Sequence, residues 1–297
     1  MSALIVRLPG LWLRALLLFT AFAAASPVLA SSQCSEPVES RGVALVIGNS
    51  SYSGTTWQPL KNAVNDALLV CDALHQRGFS VLLGLDLDRA GLTEIVAEFA
   101  DRAKGSEVAI VYVASHGFSF GGNSYIVPIN IAANVTLEEL TGEHVTSRSL
   151  QNAAAGSRRP MVVIDACTVF FNPSQLTITL ADGQTRSARS IDPNGSYVED
   201  DLDRGFDYGF EQGQAGMTVW VAGSNGYAYD DTGDQPDNGP AALAFSQAIG
   251  FAEDLQEIGL HMRRYMSEAY QKDGIEIVGG RFIFTYGTLD EFGLPVP

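Results

Sequence analysis

Residues 108–117 read VAIVYVASHG, and residues 161–167 read MVVIDAC. In each stretch an unbroken apolar run ends in a reactive side chain, His116 in the first and Cys167 in the second. A short apolar run without polar alternation marks a strand buried on both faces, the pattern of parallel sheets covered by helices. Working outward, Val43 to Ile47 (VALVI), Phe79 to Leu83 and Met217 to Ala222 (MTVWVA) read the same way. Between them lie helix-like stretches: Lys61 to Arg77, stopped by Gly78; Arg89 to Lys104, stopped by Gly105; Thr146 to Ala155; Gly239 to about Phe251; and about Asp254 to Tyr270. A hairpin is expected around Gly121-Gly122-Asn123, with Tyr125 to Pro128 as its returning arm. Strand and helix alternating from Arg41 onward predict an α/β fold with a mostly parallel sheet.

The chain has 297 residues, enough for one α/β domain. Residues 1–30 carry Arg7 and Arg14, then the apolar stretch Ala15 to Ala25 and the small-residue end Val28-Leu29-Ala30. That order predicts a signal peptide cut after Ala30, hence a periplasmic or secreted protein, since the apolar run is shorter than the ~20 residues a spanning helix needs. Residues 31–40 then form a linker, 41–173 a first segment of the domain, 174–216 an acidic flexible insert without sustained apolar period, and 217–297 a second segment. The net charge is −16. Losing the leader removes two arginines and no acid, which moves it to −18. Such a chain repels nucleic acid and anionic membrane, so basic peptides and proteins are the expected partners.

Of the three cysteines, Cys34, Cys71 and Cys167, at least one must stay free of intramolecular pairing. A Cys34 to Cys71 disulfide is conceivable, although the apolar surroundings of Cys71 also suit a core thiol. The histidines His75, His116, His144 and His261 are scattered, and no Cys/His spacing suits zinc, so no metal is expected. The acidic stretches Glu199 to Asp207 and Asp230 to Asp237 offer hard oxygen ligands for Ca2+ without EF-hand spacing; no cofactor is required. Gly48 is followed by Asn49-Ser50-Ser51-Tyr52, which is no phosphate loop.

Reactive side chains of open α/β sheets gather at the carboxyl ends of the strands. If the strands ending at Ala114 and Ile164 are neighbours, His116 and Cys167 emerge together. The histidine then draws the thiol proton and the thiolate attacks a carbonyl carbon. The backbone N–H groups of Gly117 and Cys167 are placed to bind the resulting oxyanion.

RGVALVIGNSSY, PLKNAVNDALLVCDAL, the HG at 116–117, GNSYIVPI, the DAC at 165–167, and later VWVAGSNGYAYD and NGPAALAFSQAI resemble, in this order, the caspase-like cysteine peptidase clan. The resemblance is nearest to paracaspases and bacterial metacaspase-like proteins and spans roughly residues 41–285. It implies a three-layer fold of about six strands, with 41–173 as the large-subunit and 217–297 as the small-subunit region. It also implies a His116/Cys167 dyad and cleavage after Arg or Lys, with Asp66 and Asp165 lining the specificity pocket, because two carboxylates match the fork of a guanidinium. Self-cleavage after Arg186 or Arg189 in the insert is a further expectation from the family. Tyr227 and Tyr229 suit a substrate wall or core filling. The chain departs from the family at Ser115, where Gly is usual, and at Thr168 with Val169-Phe170-Phe171, where a polar loop is usual. Those departures leave a second reading, a pseudopeptidase that binds a basic peptide or partner without cutting it.

Overall fold

The structure is a computed structural model. It describes residues 40, 42–52, 57–120, 123–131, 142, 144–166, 177–179, 185–187, 216–221, 228–230, 237–272 and 284–286. Residues 1–30, expected to form a signal peptide, and Cys34, Cys167, Thr168, residues 169–171, Arg189 and Tyr227 lie outside them.

A six-stranded sheet forms the centre, in the order β10-β9-β6-β3-β1-β2. Its strands are β1 (Gly42–Gly48), β2 (Ser80–Leu85), β3 (Val108–Ala114), β6 (Arg159–Asp165), β9 (Met217–Trp220) and β10 (Phe284–Tyr286). All neighbours run parallel except β10, which pairs antiparallel with β9. The expected fold is therefore the observed one. All seven residues of β3 are buried, as its unbroken apolar run requires of a central strand.

Alternate residues feed two separate cores. Ala44, Val46, Ile110 and Tyr112 face one layer, which contains α1 (Ala63–Gln76) and two helices from the end of the chain. Leu45, Ile47, Val111 and Val113 face the other, which contains α2 (Arg89–Ala103) and α3 (Ser147–Ala154). The two late helices are α4 (Pro240–Phe251) and α5 (Leu255–Lys272). Helices on both faces of a parallel sheet make the three-layer arrangement. Gly78 and Gly105, at φ of +87° and +77°, end the excursions after α1 and α2 in a conformation that costs a residue with a Cβ.

Beyond β3 the chain turns into the hairpin of β4 (Gly117–Phe120) and β5 (Asn123–Ile126). The expected arm began two residues later, at Tyr125, because Asn123 reads as a turn residue but enters the ladder opposite Phe120. The insert is not wholly loop: β7 (Thr177–Thr179) pairs antiparallel with β8 (Thr185–Ser187). Strands this short leave no readable period in the sequence. Arg186, expected in a flexible setting, sits in β8 opposite Ile178. No helix among the described residues is long and apolar enough to cross a membrane. Cys71, buried in α1, is disulfide-bonded rather than a plain core thiol. Its partner lies outside the described residues.

Candidate active site

The register of the sheet builds the site. β3 and β6 are adjacent and parallel, with Ala114 opposite Asp165, and the pairing extends to a hydrogen bond from the Ser115 N–H to the Asp165 carbonyl (3.3 Å). His116 follows Ala114 by two residues, as Cys167 follows Asp165. Adjacent strands lie about 4.8 Å apart.

His116 is fully buried. Its Nε2 lies 2.7 Å from the Gln58 carbonyl oxygen. A carbonyl only accepts, so Nε2 carries the proton and the lone pair of the neutral ring sits on Nδ1. The Tyr52 hydroxyl accepts from the His116 backbone N–H (3.1 Å) and donates to the Val127 carbonyl (3.1 Å). Two rings wall the imidazole, Tyr52 edge-on at 4.6 Å between centroids and Trp57 tilted at 5.1 Å. Trp57 in turn contacts Phe118, which stacks on Tyr125.

Two polar side chains shape the loop that delivers Tyr52. Asp86, at a φ of +49°, accepts from the Ser50 and Ser51 N–H groups (2.7 and 2.8 Å) and from the Ser51 hydroxyl (2.7 Å). A non-glycine residue in that backbone region is strained and persists only where its contacts hold it. Asn49, fully buried, accepts from the Leu87 N–H (2.9 Å) and donates to the Val127 carbonyl (3.2 Å). Ser115, the small residue before the histidine, is buried and donates to the His116 carbonyl (2.9 Å).

Gly117 opens β4 opposite Ile126. The His116 carbonyl accepts from the Val127 N–H (3.0 Å), while the Ile126 N–H turns away to the Val145 carbonyl (2.9 Å). Rungs alternate in an antiparallel ladder, so Gly117 and Ile126 form a non-bonded pair and the Gly117 N–H also points away from β5.

The two predicted pocket acids, Asp66 and Asp165, are both fully buried. Asp165 accepts from the Tyr112 hydroxyl (2.9 Å), and Tyr112 stacks on Phe245 of α4, which places Asp165 on the α1/α4 face. Asp66 lies in the first turn of α1, on that same face. It accepts from the Gly239 N–H (2.7 Å) and the Asn238 amide (3.2 Å), at the start of α4. Gly48 permits this arrangement: a Cβ there would meet the Ala63 carbonyl at 2.5 Å and the Ala67 Cβ at 2.6 Å. The first turn of α1 therefore presses directly on the end of β1. Tyr229 is buried against Tyr270, a packing contact.

Sequence reasoning assigned no role to Tyr52, Trp57, Gln58, Asp86 or Tyr112. Gln58 acts through its backbone, which every residue has, so its identity carries no signal. Tyr52 stood within the quoted GNSSY run and was the one legible candidate. Asp230, at the head of a stretch considered for Ca2+, is buried and accepts from the Lys61 N–H (2.6 Å) and the Asn62 N–H (3.3 Å).

Comparison with known proteins places the chain. Among solved structures, a Geobacter sulfurreducens protein aligns over 75% of this chain and 88% of its own, with a TM-score of 0.47 and 13% identity. Among curated proteins, mucosa-associated lymphoid tissue lymphoma translocation protein 1 homolog of Mus musculus is 33% identical over 100 residues, 33% of this chain and 12% of its own length. The Homo sapiens protein is 32% identical over 95 residues, 32% of this chain and 11% of its own. The match thus spans about an eighth of those relatives. The profile of the caspase domain matches residues 41–279. This chain belongs to the caspase-domain family of cysteine peptidases.

Proposed function

We propose that the protein is an exported cysteine endopeptidase that cleaves after Arg or Lys through a Cys167/His116 dyad. The observation that carries this reading is the fixed imidazole: Nε2 is committed to the Gln58 carbonyl, so Nδ1 serves as the base, at the end of the strand beside the one leading to Cys167. The Cys167 thiol passes its proton to Nδ1, and the thiolate adds to the scissile carbonyl carbon. The Gly117 and Cys167 N–H groups hold the oxyanion. As the C–N bond breaks, His116 returns the proton to the leaving amine and a thioester remains. Water then adds, giving its proton to His116, and the C–S bond breaks to release the acid and the thiol. Asp66 and Asp165, buried carboxylates on one face of the sheet, attract the substrate cation. Export rests on the sequence of residues 1–30. In this reading Arg186 becomes cleavable only after the β7/β8 ladder opens, and Arg189 is the second expected cut.

The nucleophile must be a free thiol. Ser40 donates to the Gly78 carbonyl (2.8 Å) and accepts from the Ser80 N–H (3.2 Å), which sets the chain before β1 against the corner after α1. Cys34 lies six residues before Ser40, and that stretch spans up to about 20 Å when extended. The disulfide of Cys71 is therefore assigned to Cys34 in this reading, and Cys167 stays reduced.

The test is hydrolysis of matched fluorogenic peptides ending in Arg, Lys or Asp by wild type, Cys167→Ala and Asp165→Ala, with and without calcium. Turnover of the Arg or Lys peptide that disappears in both variants is expected, together with alkylation of Cys167 in the unreduced protein. Turnover of the Asp peptide alone overturns the specificity. Absence of all turnover favours the binding-only alternative suggested by Thr168 and residues 169–171. Loss of the Cys167 thiol into the Cys71 disulfide overturns the disulfide assignment.

A further inference from the structure

We propose that Asp230 is a positioning residue for His116, acting through residues 58–62 and coupling the loop after β9 to the catalytic base; this rests on the peptidase reading. The His116 ring is anchored through the Gln58 carbonyl, and Gln58 itself is exposed. What fixes that carbonyl is the course of the residues after it. Pro59 locks its own φ, so Gln58 and Leu60 are stiffly joined. The Leu60 N–H donates to the Ser50 carbonyl (3.1 Å). The next two residues are held by Asp230: the Lys61 N–H at 2.6 Å and the Asn62 N–H at 3.3 Å donate to its carboxylate, and the Asn62 amide donates to its carbonyl at 2.7 Å. Asn62 is the N-cap of α1, yet its own side chain makes no capping bond: the Ser50 hydroxyl accepts from the Val64 N–H (3.0 Å) in the first turn, and the Asp230 carboxylate, from far along the chain, holds the N-cap residue itself.

The arrangement is reciprocal. The N-cap of α4 is Gly239, which has no side chain to cap with, and Asp66 of α1 receives its N–H at 2.7 Å. Asn65 of α1 donates to the Asp237 carbonyl (3.2 Å). Each helix start is thus completed by a carboxylate from the other's segment, and 228–230 and 237–239 are fastened to the entry of α1. Displacing Asp230 releases Lys61 and Asn62 and, through Pro59, the carbonyl that sets the imidazole.

Three readouts test this on the full-length protein. Asp230→Ala is expected to lower kcat on an Arg fluorogenic peptide by about tenfold or more while KM changes less than about threefold, since a misplacement near 1 Å costs up to about a hundredfold. In 15N-histidine NMR the same variant should shift His116 away from the single Nε2-protonated form. Asp230→Asn, whose amide oxygen still accepts from Lys61 and Asn62, should recover most of kcat and the wild-type ring signal. A rise in KM alone for basic peptides in Asp230→Asn, with the His116 signals unchanged, would show that Asp230 reads the substrate cation and overturn the proposal. A lower melting temperature with unaltered His116 signals would reduce Asp230 to a structural cap and overturn it too. The NMR readout needs no turnover: an inactive wild type whose His116 signals still move in Asp230→Ala refutes the peptidase reading and leaves the positioning contact standing. Should Asp230→Ala not fold, Asp230→Asn decides alone, because the proposal requires its activity and ring signal to be retained.

Discussion

The two edges of the central sheet are built on opposite principles. At the carboxyl edge polar groups are buried: Asn49, Asn62, Asp66, Ser115, His116, Ser124, Ser147, Asp165 and Asp230 all lie there. Among the described buried polar residues only Gln151 and Thr218 lie elsewhere, and they bond to each other at 3.1 Å. At the amino edge, where α4 turns into α5, large apolar groups are exposed instead, Phe251 at 56% and Leu260 at 57%. Withdrawing a polar group from water costs free energy unless a partner replaces the water, so the carboxyl edge holds its polar groups through defined hydrogen bonds that also fix their positions. At the amino edge the polar contact beside Phe251 is a partly buried one, from the Arg77 guanidinium to the Ala252 carbonyl (2.8 Å). A chain that concentrates buried polar groups at one edge has given that edge up to position chemistry rather than to maximise stability.

Substitution by alanine at one glycine from each edge sharpens the contrast. Gly48→Ala at the carboxyl edge drives a methyl into the Ala63 carbonyl and the Ala67 Cβ. It should destabilise the protein by about 1–3 kcal/mol, read as a lower urea midpoint. Because it pushes aside the first turn of α1, peptidase activity should fall further than the lost stability explains. At the amino edge Gly250, exposed in α4, has nothing within 4 Å of the added Cβ. Gly250→Ala is expected to stabilise by about 0.5–1 kcal/mol through helix propensity, with activity unchanged. If Gly48→Ala proved neutral, or Gly250→Ala altered kcat, the division between the edges would fail.

The smallest expected effect concerns His261, whose ring meets Phe251 edge-on at 4.9 Å. Burial against this apolar neighbour, and then the positive Arg264, hold its pKa below 6.5, with Glu268 opposing. A lowered folded-state pKa means that the unfolded chain binds the proton more readily. The stabilising contribution is therefore complete above pH 6.5 and is lost as pH falls through the folded value. Urea titrations at pH 7.5 and pH 5.5 should show wild type losing slightly more stability on acidification than His261→Gln. The reverse order would mean that the ring gains a partner for its charged form.

Much of the fold was legible because its signals are local. The run at 108–114 became β3 without a change of boundary, and the helix beginning at Arg89 took up its expected start and ended one residue early. The strand Phe284–Tyr286 and the hairpin in the insert were not legible, since three-residue strands owe their existence to a partner and not to a pattern of their own. Asp66 was singled out for the substrate cation, and the structure adds a bond to Gly239, 173 positions away, that no local reading contains.

From the sequence alone came the order of the longer elements, the parallel sheet, the emergence of His116 and the DAC segment from apolar runs, and the family resemblance. Apolar periodicity and strand-end chemistry are written into neighbouring residues. Only the tertiary structure decided which groups orient those side chains: the Gln58 carbonyl on His116, Tyr52 beneath it, Tyr112 on Asp165, and the exchange of caps between Asp230 and Asp66. These are hydrogen bonds between segments distant in the chain, several of them to backbone atoms that every residue shares. The requirement that each buried polar group find a partner is set by the sequence, but which partner it finds is set by how the chain closes on itself.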